Sequence, residues 1–336
     1  MNYIKLFQDN TEYESDQPNF LHPHVSFIKD ERRVIYEKTA HDYSKDYLTF
    51  EAIESGTFRF SGNTVEYSLD EGETWTSLAS DTDTPTVSAG TKIMFRSYIF
   101  GDATNGIGKF SSVGRFKAMG NVASMTDYNN FSGVTSVRSL TKMFFGCSGL
   151  TDASKLVLPA TSLSANCYTM MFFNCANLEK APATLPATTL KDHCYDSMFA
   201  KCASLTTAPT LPSTDLTYAC YHNMFSGCTS LTVAPELPAT LLNQNCYERM
   251  FAGCTALTTA PELPATSVEG ESYKEMFSGC TSLNYIKMLA TTLYDSDSLK
   301  YWVTDVAASG TFVKDASMTL PTGDSGIPSG WTVINN

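Results

Sequence analysis

Between residues 45 and about 118, apolar and polar residues alternate in short runs. "YLTFEAI", "TFRFSG", "TVEYSLD", "TWTSLAS" and "TKIMFRSYIF" are separated by Gly, Asn and Asp. Alternation with a period of two predicts antiparallel strands with one buried face, and this segment reads as a small β-sandwich. Further along, the pattern lengthens. Met-Phe pairs begin at Met143, Met171, Met198, Met224, Met250 and Met276, with intervals of 28, 27, 26, 26 and 26 residues. A fixed period of this size is the signature of a solenoid, in which each unit buries its apolar face against its neighbours.

Within a unit the spacing predicts two pieces. Leu190, Cys194, Met198 and Phe199 keep one face apolar at helical spacing. Thr188 offers an N-cap, and Gly227, Gly253 and Gly279 stand where a glycine closes a helix. About three turns of helix are expected there. After the glycine, "CTSLTVAPELP" predicts a short extended segment that ends near Ala234, because Pro235 and Pro238 cannot donate to a strand ladder. The fold class expected from this is an α/β solenoid of about six 26-residue units, with an N-terminal all-β sandwich-like domain and a C-terminal cap. The expected boundaries are an N-terminal arm over 1–44, the sandwich over 45–118, the solenoid over 119–293 and the cap over 294–336. In the cap, "SDSLKYWVTDVAAS" reads as a helix, with Trp302 and Trp331 as core residues. Residues 1–44 are mixed, with "HVSFIKDERRVIYEK" read as a hairpin and the whole as an arm able to dock on a partner.

Stacking the units aligns their side chains in columns. Phe144, Phe172, Phe199, Phe225, Phe251 and Phe277 form one, and Tyr168, Tyr195, Tyr221, Tyr247 and Tyr273 another. All ten cysteines fall into two more: Cys147, Cys175, Cys202, Cys228, Cys254 and Cys280, and Cys167, Cys194, Cys220 and Cys246. Three readings of them compete. Disulfides between cysteines eight apart would leave Cys147 facing Ser139 and Cys280 facing Ser272. A metal site would need a C-x-x-C spacing or histidines sharing a column, and neither occurs. Small apolar fillers need only fit the space, and free cysteine is among the most buried residue types. The serines at the ends of the column favour this last reading.

Composition narrows the function classes. Charged residues make up 17%, against a typical roughly 25%, so Ser, Thr and Asn cover much of the surface. The net charge of −12 and the absence of a basic patch argue against a nucleic-acid or anionic-membrane partner. The one basic cluster, residues 29 to 33, reads as a solvated turn, and His22 and His24 flank a proline without further ligands. No run of 18 apolar residues predicts a membrane span. "MNYIKLFQDN", taken as the native start, lacks a secretory signal, which predicts synthesis and retention in a reducing cytosol with free thiols.

Two motifs resemble known families. Ser68, Asp70, Gly72, Thr74 and Trp75 match the S-x-D-x-G-x-T-W pattern of the Asp-box, a hairpin in which Asp and Ser tie down the turn and Trp packs beneath. Sialidase propellers carry several copies with an arginine cluster, so the single copy here reads as structural. The repeat, F-x-x-C-x-x-L followed by a proline step and a return to C-Y-x-x-M-F, resembles the BspA-like leucine-rich repeats. It departs from them in the Met before Phe, in A-P-x-L-P-A-T and in a longer period. That resemblance implies an α/β leucine-rich-repeat solenoid used for adhesion by protein or glycan contact, and no catalysis.

The order of parts, with "YIKLF", "HVSFIKDERRVIYE", the sandwich strands, the array and "GTFVKDASMTLPTGDSGIPSGWTV", is similar to virion surface proteins of phages of gut Bacteroidales, including crAss-like phages. What this implies is a capsid- or tail-attached fibre or decoration protein, made in the host cytoplasm and carried on the virion surface. Its N-terminal region would bind other virion proteins, its repeats would face a host glycan or protein, and it would assemble as a trimer or dimer. A secreted BspA-like adhesin is the alternative. A glycan hydrolase has the least support, since no carboxylate pair stands where the repeat breaks. No catalytic, cofactor or metal residue is expected. The candidate ligand surface comprises the Thr-rich face, Thr206, Thr207, Thr232, Thr258 and Thr259, and the variable positions His222, Asn223, Asn243, Gln244 and Asn245. Variation there is also what unconstrained exposure produces.

Overall fold

In the computed structural model, the strands of residues 1–43 are described by their backbone, and residues 46–98, 106–137 and 139–336 in full. The chain divides into two compact units, Met1–Tyr43 and Ser44–Asn336. The first holds two antiparallel hairpins. β1 (Ile4–Gln8) pairs with β2 (Thr11–Ser15), and β3 (His24–Lys29) pairs with β4 (Arg32–Glu37). His22 and residues 30 and 31 lie outside the described residues, as does all but the backbone of His24.

The second unit opens with β5 (Leu48–Ala52), β6 (Thr57–Gly62), β7 (Val65–Ser68), β8 (Thr76–Leu78), β9 (Lys92–Arg96), β10 (Gly108–Val113) and β11 (Phe116–Asn121). A two-stranded sheet, β10-β6, stands beside a six-stranded one, β12-β11-β5-β9-β7-β8, whose edge is β12 (Leu150–Val157). The alternation in "TFRFSG" sets the facing: Phe58 and Phe60 are buried and Arg59 between them is exposed. Phe50 gathers the rings of Phe58, Phe95, Phe110 and Phe116 at centroid distances of 5.3, 4.9, 4.8 and 4.6 Å. This core runs on into the array. Phe110 stacks on Phe144 at 5.8 Å, and β11 pairs in parallel with β12.

The array corrects the expected fold class. An α/β leucine-rich-repeat solenoid requires a helix in every unit, and the described residues contain no α-helix, only a 3-10 turn at Val122–Met125. The class is all-β with mixed sheets. The reason lies in the backbone. In the segment read as a helix, His193, Ser197 and Lys201 have φ of 56, 55 and 62°, so every fourth residue is left-handed. No run of i→i−4 bonds survives such a pattern. Instead the donors alternate. Cys194, Asp196, Met198, Ala200 and Cys202 bond the carbonyl three residues back at 3.0–3.2 Å, while His193, Tyr195, Ser197, Phe199 and Lys201 bond Tyr218, Cys220, His222, Met224 and Ser226 of the next unit at 2.7–3.1 Å. This segment of each unit is thus a chain of four-residue turns, in which every second N–H joins it to the next unit. Four residues is also the spacing of Leu190, Cys194, Met198 and Cys202, all buried, which is why the pattern mimicked a helix.

The Thr-rich segments touch through isolated parallel bridges, Lys180 to Thr207 and Thr207 to Val233 among them. Stacking brings the rings together: Phe172, Phe199, Phe225, Phe251 and Phe277 follow one another at 5.2–5.7 Å with planes within 7°. A second expected helix, over residues 296–309, is also replaced by turns, with Tyr301 and Asp305 at φ of 55 and 56°. Its carbonyls at Ser298, Lys300, Trp302 and Thr304 accept from Tyr273, Glu275, Phe277 and Gly279, so it forms one more rung. Beyond it the parallel sheet of β13 (Tyr285–Met288), β14 (Thr311–Lys314) and β15 (Thr332–Asn335) ends the stack. Trp302 and Trp331 are buried there, and their indole N–H groups donate to Gly326 O at 2.8 Å and Ala307 O at 2.7 Å.

Left-handed backbone costs an L-residue about 1–2 kcal/mol, and glycine escapes most of that at some entropic cost. Lys142 sits at φ 61° with its side chain exposed. Lys142→Gly is therefore expected to stabilise the protein by about 0.5–1 kcal/mol in urea melts, where a helical site would lose about 1 kcal/mol. A loss would contradict the turn ladder.

Candidate binding surface

The cysteines do not form a site. None of the ten is in a disulfide, and all are buried. Cys175, Cys202, Cys228, Cys254 and Cys280 each donate an S–H to the carbonyl of the Phe one unit earlier at 3.0–3.2 Å. Burial pushes the thiols up, Cys147 to about 11, Cys167, Cys220, Cys228 and Cys280 to about 12, and the other five well above the ordinary thiol value. Reactivity belongs to the thiolate. A disulfide-exchange reagent at pH 8 is expected to find no reactive thiol among the ten in the native chain and all of them after denaturation; rapid native labelling would show that the columns open. Among the described residues, no group of three or more His, Cys, Asp or Glu is placed to hold a metal ion.

The Asp-box residues come together in one hairpin between β7 and β8. Ser68 Oγ donates to Asp70 Oδ1 at 2.7 Å and accepts from Gly72 N at 2.9 Å. Thr74 gives its N–H to Asp70 Oδ1 at 2.9 Å and its hydroxyl to Oδ2 at 2.6 Å, and the Trp75 indole donates to Gly72 O at 3.0 Å. The Arg96 guanidinium lies 4.1 Å above the Trp75 ring, a cation–π contact. These bonds knit the turn to itself. The Thr74 hydroxyl and N–H, with Ser68, hold the Asp70 carboxyl down to about 2. A carboxyl lowered by folding contributes fully above its ordinary value and loses that contribution as pH falls through the lowered one. The hairpin is expected to stay closed at pH 4 and loosen toward pH 2, read from hydrogen exchange of the Trp75 indole; opening already near pH 4 would contradict the bonding.

The candidate ligand residues lie on two separate faces. Thr206, Thr232 and Thr258 form one exposed column, joined where Thr232 donates both its N–H and its hydroxyl to Thr206 O at 3.1 and 3.2 Å. Thr207 and Thr259 stand beside it with Val233 between them, 55% exposed. Below, an open groove of about 540 Å³ runs along Thr232–Pro238 and Thr259–Pro264. Its walls are mostly apolar, with only Glu236 and Glu262 charged.

His222 and Asn223 lie on the turn ladder instead. Asn243 and Gln244 are exposed at its corner, but Asn245 is buried, with its amide on Glu248 and on Glu271 at 3.3 Å. It is a structural residue. Side chains not singled out in the sequence complete this face. His193 Nδ1 and His222 Nδ1 each lie 3.2 Å from one oxygen of Asp196. Burial pushes the Asp196 carboxyl up, and its bonds to His222 and Ser197 outweigh that, leaving it lowered. Lys274 bridges Glu248 at 3.3 Å and Glu271 at 2.6 Å, and Arg249 meets Glu275 at 2.7 Å. The alignment carries a signal for these residues, since 196, 222, 248 and 274 share one column, but not for their side-chain partners. An open hollow of about 520 Å³ sits here, bounded by Phe173, Ser197, Lys201, His222, Asn223 and Arg249.

No family model, no curated protein and no solved structure matches the chain. Among the described residues, no helix is long and apolar enough to cross a membrane.

Proposed function

We propose that the chain is a non-enzymatic structural protein of a phage virion surface, a capsid- or tail-attached fibre or decoration protein that displays its repeat face for attachment to a host glycan or protein. The observation that carries this reading is the ladder itself. Along the turn segment of each unit every second N–H bonds the next unit, and buried Phe, Tyr and Cys columns stay constant while the outer positions change. Such a scaffold fixes its exposed side chains in register and spends its polar backbone groups on stacking rather than on chemistry. In the same reading the N-terminal region anchors the chain to other virion proteins, the assembly is a homo-oligomer, trimer or dimer, and neither nucleic acid nor membrane insertion is involved. The sequence likeness to virion proteins of Bacteroidales phages supports the location. Mass spectrometry of purified particles is the test. A defined copy number per particle is expected, and absence from particles would sink the reading.

A further inference from the structure

The column that follows each Met-Phe pair changes character part-way along the array. It reads Phe145, Phe173, Ala200, Ser226, Ala252, Ser278. Phe145 and Phe173 stack at 5.0 Å with planes 6° apart. At the next rung the ring is missing, because Ala200 stands where a third phenylalanine would lie. The hollow of about 520 Å³ opens at this step. Phe173 forms one wall, Ala200 and Ser226 the floor, and His222, Asn223 and Arg249 the other side. The ring of Phe173 is only half-buried, with the flexible Lys201 side chain over it.

Charge complementarity selects the occupant. The other charged side chains at the step already have partners within the ladder: Asp196 lies beside His193 and His222, Glu248 and Glu271 share Lys274, and Arg249 meets Glu275. Lys201 differs. Its ammonium lies 5.4 Å over the Phe173 ring and no carboxylate of the described residues stands within ion-pairing distance. A ligand that fits must present a flat, weakly polar face to the aromatic ring, hydroxyls to Asn223, Ser226 and His222, and one negative charge to Lys201. A pyranose ring bearing a carboxylate has all three.

We propose that this step is a binding site for an acidic saccharide of the uronic-acid class, the sugar displacing Lys201 from over the Phe173 ring, stacking as the third ring after Phe145 and Phe173, and taking the Lys201 ammonium with its carboxylate. The proposal rests on the display reading above, whose attachment surface it makes specific. Two substitutions test it with residues the array already carries at the same positions. Ala200→Phe restores the missing ring as at Phe173, and Lys201→Asn removes the charge while keeping a residue suited to its φ of 62°, as at Asn174. Binding of an oligogalacturonate to the full chain is followed by calorimetry, with a neutral maltooligosaccharide as the comparison.

The intact chain is expected to bind the uronate and not the neutral sugar. Lys201→Asn should weaken binding about tenfold or more, the size of a lost hydrogen bond to a charged group, and Ala200→Phe should abolish it. No binding of the oligogalacturonate by about 10 mM, or binding unchanged in both variants, overturns the site. Incorporation into particles is measured on the same proteins. Intact chain present in particles but blind to uronate overturns this inference and leaves the display reading standing. Uronate binding lost in both variants, with the chain absent from particles, supports the site and overturns the display reading.

Discussion

Asn223→Pro is expected to unfold the middle of the array. Asn223 has φ of 53°, and its N–H donates to Glu248 O at 2.9 Å, one of the bonds that join adjacent units. Proline fixes φ near −65° and has no N–H, so it fails on both counts, and its ring also disfavours the turn conformation of His222 before it. The cost of a proline in a helix interior is about 3 kcal/mol or more; here the ladder bond to the next unit is lost as well. Asn223→Gly serves as the control, since glycine keeps the N–H and adopts positive φ freely. It should lie within about 0.5 kcal/mol of the parent in urea melts. A proline variant within about 1 kcal/mol of the parent would mean that residue 223 is not left-handed, and the turn ladder would fall with it.

The contrast between these two substitutions also shows how much of the fold was legible in the sequence. The period-two alternation gave the strands β5 to β9 because a sheet with one solvated face writes its geometry directly into residue type. The repeat was legible too, with its columns, because stacking demands the same side chain at the same depth in each unit. The helix was misread for a physical reason. Leu190, Cys194, Met198 and Cys202 recur at a strict four, and over three steps an α-helix would carry such residues roughly 120° around its axis. A four-residue turn does not drift. The second sign lay at the outer positions, where Asn174, Gly227, Gly253 and Gly279 place residues tolerant of positive φ, but Lys201 in the same column hid it. The N–H groups that cross to the next unit leave no trace in residue type, because every non-proline residue has one.

The candidate surface was legible only in part, for a related reason. Exposed columns can be read from variation between units, and Thr206, Thr232 and Thr258 are exposed as that reading requires. Pairing across units cannot. Asn245 varies because its partners Glu248 and Glu271 are local to two rungs, not because it faces solvent. The step at Ala200 appears in the alignment as a loss of bulk, and only the stacked rings of Phe145 and Phe173 turn that loss into a hollow with an aromatic wall.

Phe225→Ala should cost about 3–5 kcal/mol, the range for deleting a fully buried aromatic ring. Phe225 is 0% exposed and lies between Phe199 at 5.6 Å and Phe251 at 5.7 Å, with planes 3° and 7° apart. The loss has two parts: burial of the ring, and stacking on both sides, each contact adding about 0.5–1.5 kcal/mol beyond area. Collapse is resisted because the rungs above and below are held apart by backbone bonds such as Phe225 N to Met250 O at 2.9 Å, so a cavity remains. Position in the stack then decides the form of the transition. In a chain whose units touch only their neighbours, stability is close to a sum of unit and interface contributions, so weakening a central interface uncouples the two sides. The side joined to the sandwich core through Phe110 and Phe144 has a support that the side ending at Trp302 lacks. Urea unfolding of Phe225→Ala is therefore expected in two steps, the rungs beyond residue 225 melting first, with near-ultraviolet circular dichroism of Trp302 and Trp331 lost before that of Trp75. A single transition with an unchanged slope and a cost under about 1 kcal/mol would show that the ring column does not couple the rungs.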